Sequence, residues 1–200
     1  MLNIIGDLII FSIPNFDTYK ELEDCLKREG KAMKILITYF SQTGNTERVA
    51  KSFKEALAEH EVDINPIAQQ KPDELSDYDF LILGSGIYAG KIHKSVENLI
   101  KKAERLPPKV ALFNTHSSIS AYQHGFKRVK QRLEVLGAEL IGEWDCRGEN
   151  IGVPEQIIEQ RLANLPPDER KKAEEDIEEL KGRPNAEDLE NAKTFAKSLL

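Results

Sequence analysis

The chain of 200 residues has few cysteines and no long apolar run. Cys25 and Cys146 are the only cysteines, which allows one disulfide bond at most and excludes the dense disulfide framework of a small secreted domain. No uninterrupted run of about 18 apolar residues is present, so we expect no membrane span. The N-terminus has no Lys or Arg before Lys20 and carries Asp7 in its apolar stretch, which is not typical of a secretory signal. These absences favour a protein of the reducing cytoplasm.

An excess of positive charge is also missing. Lys and Arg number 28 against 34 Asp and Glu, which gives a formal net charge of −6. A broad attraction to nucleic acid or to anionic lipid is therefore not expected, and an anionic ligand has to be held by a few local groups. The chain also lacks a Walker lysine motif, a Cys/His spacing for zinc and a G-x-S-x-G motif. We accordingly assign no catalytic side chain and no metal site.

The apolar residues are organised in a regular order from Lys34 onward. Three nearly continuous apolar runs, at 35–40, 80–83 and 110–113, predict strands that are buried on both faces. Two mixed runs, at 62–67 and 140–144, predict edge strands, and amphipathic helices separate the runs. The pattern predicts an α/β fold: a three-layer, doubly wound sheet of five parallel strands in the order 2-1-3-4-5.

Two segments lie outside this alternation. Residues 1–32 form a predicted N-terminal extension of uncertain structure, and residues 33–200 form the α/β domain. Within the domain, residues 152–183 predict a charged helical insertion, punctuated by Pro154 and Pro166. Asn185 is the expected cap of the last helix.

A polar segment follows the first predicted strand and opens the first helix. It consists of Ser41, Gln42, Thr43, Gly44, Asn45 and Thr46. Hydroxyl groups and backbone amides at a helix N-terminus can surround a phosphate without a lysine, and glycine allows the chain to turn with positive φ. The alternative is that these residues only cap the helix.

Two further segments follow the third and fourth strands, whose carboxyl ends meet the same edge of the sheet. After the third strand come Gly86, Ile87, Tyr88, Ala89 and Gly90, and after the fourth come Thr115, His116 and Ser117. Glycines allow the backbone to approach a flat ligand, and the later segment can supply polar contacts. The alternatives are a core role for the Tyr88 ring and an ordinary loop role for His116. The glycines also fit the sequence fingerprint of dinucleotide-binding proteins. This match is weak evidence, because they do not follow the first strand.

The residues ILITYFSQTGNT at 35–46 resemble the opening strand and phosphate loop of the flavodoxin family. The resemblance extends through GSGIYAGKIHKS at 84–95 and through the C-terminal segment from Gly182. It implies FMN as the cofactor, with its phosphate on residues 41–46 and its flavin ring against residues 86–90. By the same resemblance residues 115–117 face the pyrimidine side of the ring. The acidic rim of many electron-carrying flavodoxins is not evident in this chain.

Three functions remain open from the sequence. The first is a flavodoxin-like electron carrier that exchanges electrons with a redox partner protein. The second is an FMN-dependent oxidoreductase acting on a small quinone or a protoporphyrinogen-type substrate, because GSGIYAGKIHKS also resembles a loop of flavodoxin-type protoporphyrinogen oxidases. The third is a non-redox interaction module that uses the charged insertion.

Overall fold

The computed structural model describes residues 32–118 and 122–200. The predicted extension, residues 1–32, lies outside the described residues apart from Ala32. The strands are β1 (Lys34–Phe40), β2 (Glu61–Pro66), β3 (Phe80–Tyr88), β4 (Lys91–Ile92), β5 (Lys109–His116) and β6 (Glu139–Arg147). The α-helices are α1 (Asn45–Ala56), α2 (Lys94–Lys102), α3 (Lys127–Leu136), α4 (Glu155–Ala163), α5 (Pro167–Leu180) and α6 (Ala186–Ser198). Short 3-10 helices cover Ile67–Gln69 and Asp73–Asp77.

The sheet has the predicted doubly wound topology. Its path is β2-β1-β3-β5-β6, with parallel pairing throughout, and the two-residue β4 pairs antiparallel with the end of β3. The order 2-1-3-4-5 is therefore confirmed for the five parallel strands. The two mixed strands lie at the edges of the sheet. Pro66, which has no amide proton to donate to a neighbouring strand, is the last residue of β2.

Two apolar layers, one on each face of the sheet, pack against the helices. Residues such as Leu36 and Leu81 face α2 and α3, whereas Ile35 and Ile37 face α1 and α6. Consecutive residues of β1 thus contribute to opposite layers, because successive side chains of a strand point to opposite faces. This double burial explains why the central strands are apolar without alternation.

The third and fourth parallel strands are longer than the sequence predicts. We expected a glycine-rich loop after Leu83, but β3 continues to Tyr88 and the chain turns only at Ala89 and Gly90. Strand β5 likewise continues to His116. The apolar pattern ends early because glycines and polar residues occupy the strand ends, while the parallel pairing of β3 with β5 continues to Gly86 and Thr115.

The segment 152–183 contains two helices with mostly exposed side chains. Helix α5 begins with Pro167, a favourable first helical residue, and an exposed ion pair joins Arg170 to Glu174 across one turn. Leu180 is buried at its end. Among the described residues, no helix has the length and apolar character needed to cross a bilayer.

Gly84 is required by the packing of β3 on β5. A Cβ atom at position 84 would lie 2.1 Å from the Phe113 ring, and that ring is fully buried. We therefore expect Gly84→Ala to lower the free energy of unfolding by about 2 kcal/mol, since a tightly packed ring has nowhere to move. Urea denaturation measures the loss. In a double variant with Phe113→Leu the combined loss should be smaller than the sum of the single losses; additive losses would show that the ring is not the obstacle.

Candidate functional site

The carboxyl ends of β1, β3, β5 and β6 meet at one edge of the sheet and form a small cavity that we call the crevice. It is lined by Thr43, Asn45, Gly86, Ile87, Tyr88, Thr115, His116, Ser117, Gly148, Glu149 and Asn150. Eight of these residues belong to the predicted set. The remaining predicted residues lie in the same loops but outside the lining: Ser41, Gln42, Gly44 and Thr46 before or in α1, and Ala89 and Gly90 in the β3–β4 turn.

The loop between β1 and α1 has the geometry of an anion site. Gly44 stands directly before α1 with φ of +88°, and its amide donates to the Ser41 hydroxyl at 3.0 Å. The amides of the first helical turn have no intrahelical acceptor, and the helix dipole makes this end positive. The loop therefore presents backbone donors at the positive end of α1, and it contains no lysine.

The Thr46 hydroxyl links the first loop to the end of β5. Its Oγ1 lies 2.9 Å from Oγ1 of Thr115, and Thr46 is 1% exposed. A hydroxyl has one proton to donate, so only one of the two threonines retains a free O–H for a ligand. The sequence analysis predicts both residues as ligand contacts, and the structure shows that they join the start of α1 to the end of β5.

Asn45 connects the same loop to the segment after β6. Its Nδ2 donates to the Glu149 carbonyl at 2.8 Å, and a Cβ at Gly148 would lie 2.7 Å from that nitrogen. Glycine at 148 is thus what permits the contact. The Asn45 Oδ1 atom is buried without a hydrogen-bond partner among the described residues. A buried acceptor of this kind favours a ligand that carries hydroxyl donors.

Tyr88 crosses the crevice. Its hydroxyl accepts a hydrogen bond from the Gln42 amide at 3.0 Å, and the hydroxyl would lie 2.6 Å from a Cβ at Gly86. Burial raises the pKa of Tyr88 above its ordinary value, so the phenol is neutral at pH 7. The crevice that remains has a volume of about 60 Å³. A ligand that contacts the backbone at Gly86 therefore has to displace this ring.

Two histidines near the site have structural partners. His93 stacks on Phe40 with 3.5 Å between ring centroids, and its Nδ1 accepts from the Ser95 amide at the start of α2. His116 stacks on Tyr122 at 3.7 Å. Its ring nitrogens lie 3.0 Å from an Asp145 carboxylate oxygen and 2.6 Å from the Ser118 carbonyl. Because both nitrogens of His116 face protein acceptors, its ring edges are already engaged.

The sequence analysis missed the contribution of the segment after β6. Gly148, Glu149 and Asn150 line the crevice, and the Glu149 amide donates to the Arg183 carbonyl at 2.9 Å. Since β6 is parallel to the other strands, its carboxyl end reaches the same edge, and this topological rule was the available signal.

A charged network fixes that segment to the start of α6. Arg183 donates through Nε and Nη2 to both carboxylate oxygens of Asp188, at 3.0 and 2.6 Å. Asn185 and Asp188 also form a reciprocal capping box, which confirms Asn185 as the helix cap. The nearby Cys146 thiol is buried, and burial raises its pKa, which disfavours the reactive thiolate form.

The fold is a doubly wound α/β sheet, and a polar loop opens a helix at its switch point. The family model of the flavodoxin domain matches residues 36–197. The chain therefore belongs to the flavodoxin family.

The chain is also similar to several individual proteins. An uncharacterised protein of Methanocaldococcus jannaschii is 32% identical over 84% of this chain and 99% of its own length. A flavodoxin of Synechococcus elongatus is 25% identical over 68% of this chain and 85% of its own length. The crystal structure of oxidised flavodoxin 2 from Bacillus cereus is similar with a TM-score of 0.58 and 25% identity, covering 83% of this chain and 97% of that one.

The Asp188 carboxylate predicts a pH effect on stability. Burial by itself would raise the pKa of Asp188, but its bonds to Arg183 and Asn185 outweigh burial and hold the pKa below its ordinary value. A lowered folded-state pKa stabilises the fold fully above the unfolded value of about 3.9, and this contribution is lost as the pH falls through the folded value. We expect Asp188→Asn to lower the free energy of unfolding at pH 7 by about 2 kcal/mol.

The same variant should also show a shallower loss of stability below about pH 4 than the parent chain, as measured by urea denaturation at several pH values. Asp168→Asn is the matched control, because Asp168 is an exposed first-turn residue of α5. An unchanged acid slope in Asp188→Asn would contradict the assignment of this effect to Asp188.

Proposed function

We propose that this flavodoxin-family protein binds FMN at the crevice and carries electrons between partner proteins. The observation that carries the proposal is the β1–α1 loop, in which Gly44 turns the chain so that backbone amides face outward at the positive end of α1. Family membership supports the same conclusion, because the matched model spans residues 36–197 and so includes this loop. The two-cysteine composition keeps a reducing cytoplasm as the expected setting.

In this proposal the phosphate of FMN lies at the N-terminus of α1. The amides of Thr43, Asn45 and Thr46 and the Thr43 hydroxyl would donate to it, while the Gly44 amide bonds to the Ser41 hydroxyl and keeps the turn in place. The net charge of −6 does not oppose this binding, since amides at short range outweigh screened charges farther away. The Asn45 Oδ1 atom, which has no partner among the described residues, suits a hydroxyl of the ribityl chain.

The flavin ring is proposed to lie against residues 86–90, with residues 115–117 on its pyrimidine side. Binding there would release the Gln42 amide from the Tyr88 hydroxyl, and the Tyr88 ring would then be available to shield the cofactor from water. FMN supplies one- or two-electron transfer when bound. The chain's own residues bind, orient and shield it.

The side chains that line the crevice favour an electron carrier over an enzyme that uses an acid or base of its own. Of the residues that line the crevice, His116 and Glu149 carry an imidazole and a carboxylate. Both nitrogens of His116 face protein acceptors, and the Glu149 carboxylate accepts a hydrogen bond from the Gly182 amide at 2.9 Å. No cluster of metal-ligating side chains occurs among the described residues. The proposed function therefore depends on binding and electrostatics rather than on a protonating residue of the chain.

The phosphate site is tested by comparing FMN with riboflavin, which lacks the phosphate. We expect Thr43→Val to weaken FMN binding about tenfold or more, because one hydrogen bond to a charged group is lost, and to leave riboflavin binding nearly unchanged. Isothermal calorimetry measures both affinities. Thr194→Val is the control, since Thr194 is exposed on α6 and bonds only within its helix. An equal loss for both flavins, or no loss for FMN, would count against phosphate binding by this loop.

The carrier role is tested with the holoprotein. Protein purified without added flavin should be yellow or should take up FMN, and it should pass electrons to a redox protein without turning over a small quinone in the absence of that partner. Absorbance spectra and quinone-dependent oxidation measure these outcomes. Steady quinone reduction by the holoprotein alone would favour an oxidoreductase, whereas absence of FMN binding would exclude both redox functions.

A further inference from the structure

The charge of this acidic chain is divided unevenly along the sequence. Residues 91–132 contain ten Lys and Arg against Glu97 and Glu104, a formal charge of +8, whereas the whole chain carries −6. The other 158 residues therefore carry −14. Such a separation creates a local field of opposite sign to the net charge, and its range is limited to about 8 Å at physiological ionic strength.

The fold collects much of this positive charge on one helix layer. We call the basic face six of the seven exposed and half-exposed cations of α2 and α3: Lys94, Lys101, Lys102, Lys127, Arg128 and Arg132. The seventh, Lys130, pairs with Glu143 at 2.6 Å. Both helices pack on the same side of the sheet. Arg128 pairs with Glu97 at 3.3 Å, whereas the four lysines have no ion pair with any described residue. Most of the positive charge is therefore not neutralised within the described part of the chain.

The basic face surrounds an apolar groove. A cavity of about 530 Å³ lies between α2 and α3, with Ile100 and Val129 beneath it. Val135 at its margin is 72% exposed, which is large for an apolar side chain. An apolar centre within a charged rim is the usual anatomy of a protein–protein interface.

The basic face begins beside the proposed cofactor site. Lys94 and Lys127 are the first residues of α2 and α3, and both helices follow strands whose carboxyl ends lie at the edge that holds the crevice. Lys91 pairs directly with Tyr88 in the β3–β4 hairpin. A protein seated on this end of the basic face would be close to the crevice.

We propose that the basic face docks an acidic redox protein, which exchanges electrons with the proposed FMN site; this inference rests on the proposed function. A globular acidic partner contacts only the basic face. Salt then screens its repulsion by the acidic remainder of the chain, which lies farther away. A nucleic acid duplex fits less well, because it is a longer polyanion and needs no apolar groove such as that at Val135.

The test uses the full chain, an acidic plant-type [2Fe–2S] ferredoxin as the probe, and two charge-reversal variants. Lys94→Glu/Lys127→Glu changes the basic face, and glutamate at a helix N-terminus is favourable, so this variant should fold. Lys54→Glu/Lys197→Glu is the control, because it makes the same charge change on exposed residues of α1 and α6, the helices of the opposite layer. Thermal unfolding verifies that both variants are folded.

Electron exchange between FMN-loaded protein and ferredoxin should slow as ionic strength rises from about 10 mM to about 0.15 M, where the Debye length shortens from ~30 to ~8 Å. At low salt the basic-face variant should react about tenfold more slowly than the parent, and the control less than twofold more slowly. A rate that is independent of salt or rises with it would overturn the proposal, as would an equal loss in the control.

Calorimetry of ferredoxin with the chain free of FMN gives a second readout that does not depend on the cofactor. Binding that weakens in the basic-face variant and not in the control supports docking even where FMN binding fails, whereas FMN binding without ferredoxin binding overturns only the docking proposal. Binding of a duplex of about 20 base pairs at physiological salt, with no binding of ferredoxin, would also overturn it, because the partner would then be a nucleic acid.

Discussion

The site depends on the parallel direction of the strands. Because β1, β3, β5 and β6 all end at one edge, the loops that follow them converge without any long connection. The positive end of α1 lies at the same edge, and Gly44 allows the chain to enter the helix with φ of +88°. An acidic chain can hold an anion there because backbone amides, unlike lysines, add nothing to the net charge and are fixed in direction by the fold.

The loops at this edge are held by specific polar contacts as well as by packing. The Thr46–Thr115 contact joins the first loop to β5, and Asn45 joins it to Glu149. Glu149 in turn is bound to the backbone of Arg183, which is held by Asp188 at the start of α6. A ligand that binds to loops fixed in this way would lose less free energy to ordering them.

The sequence predicted the architecture well because strands that are buried on both faces have a clear apolar pattern. Strands covered by helices on both faces must be apolar throughout, so the runs beginning at Ile35, Phe80 and Val110 marked the central strands. The strand ends were predicted less well, since polar residues and glycines at Gly86 and Thr115 pair through backbone atoms that any residue provides. The Tyr88–Gln42 bond could not be predicted from periodicity, because it joins residues 46 positions apart through tertiary structure.

Net charge was a poor guide to the surface for a related reason. A total of −6 describes the field far from the molecule, but at physiological salt a partner in contact responds to charges within about 8 Å. The +8 of residues 91–132 is concentrated because α2 and α3 are neighbours on one side of the sheet, whereas the acidic excess is spread over the rest of the chain. The doubly wound topology therefore converts an asymmetry along the sequence into an asymmetry in space, and recognition of a charged partner depends on the latter.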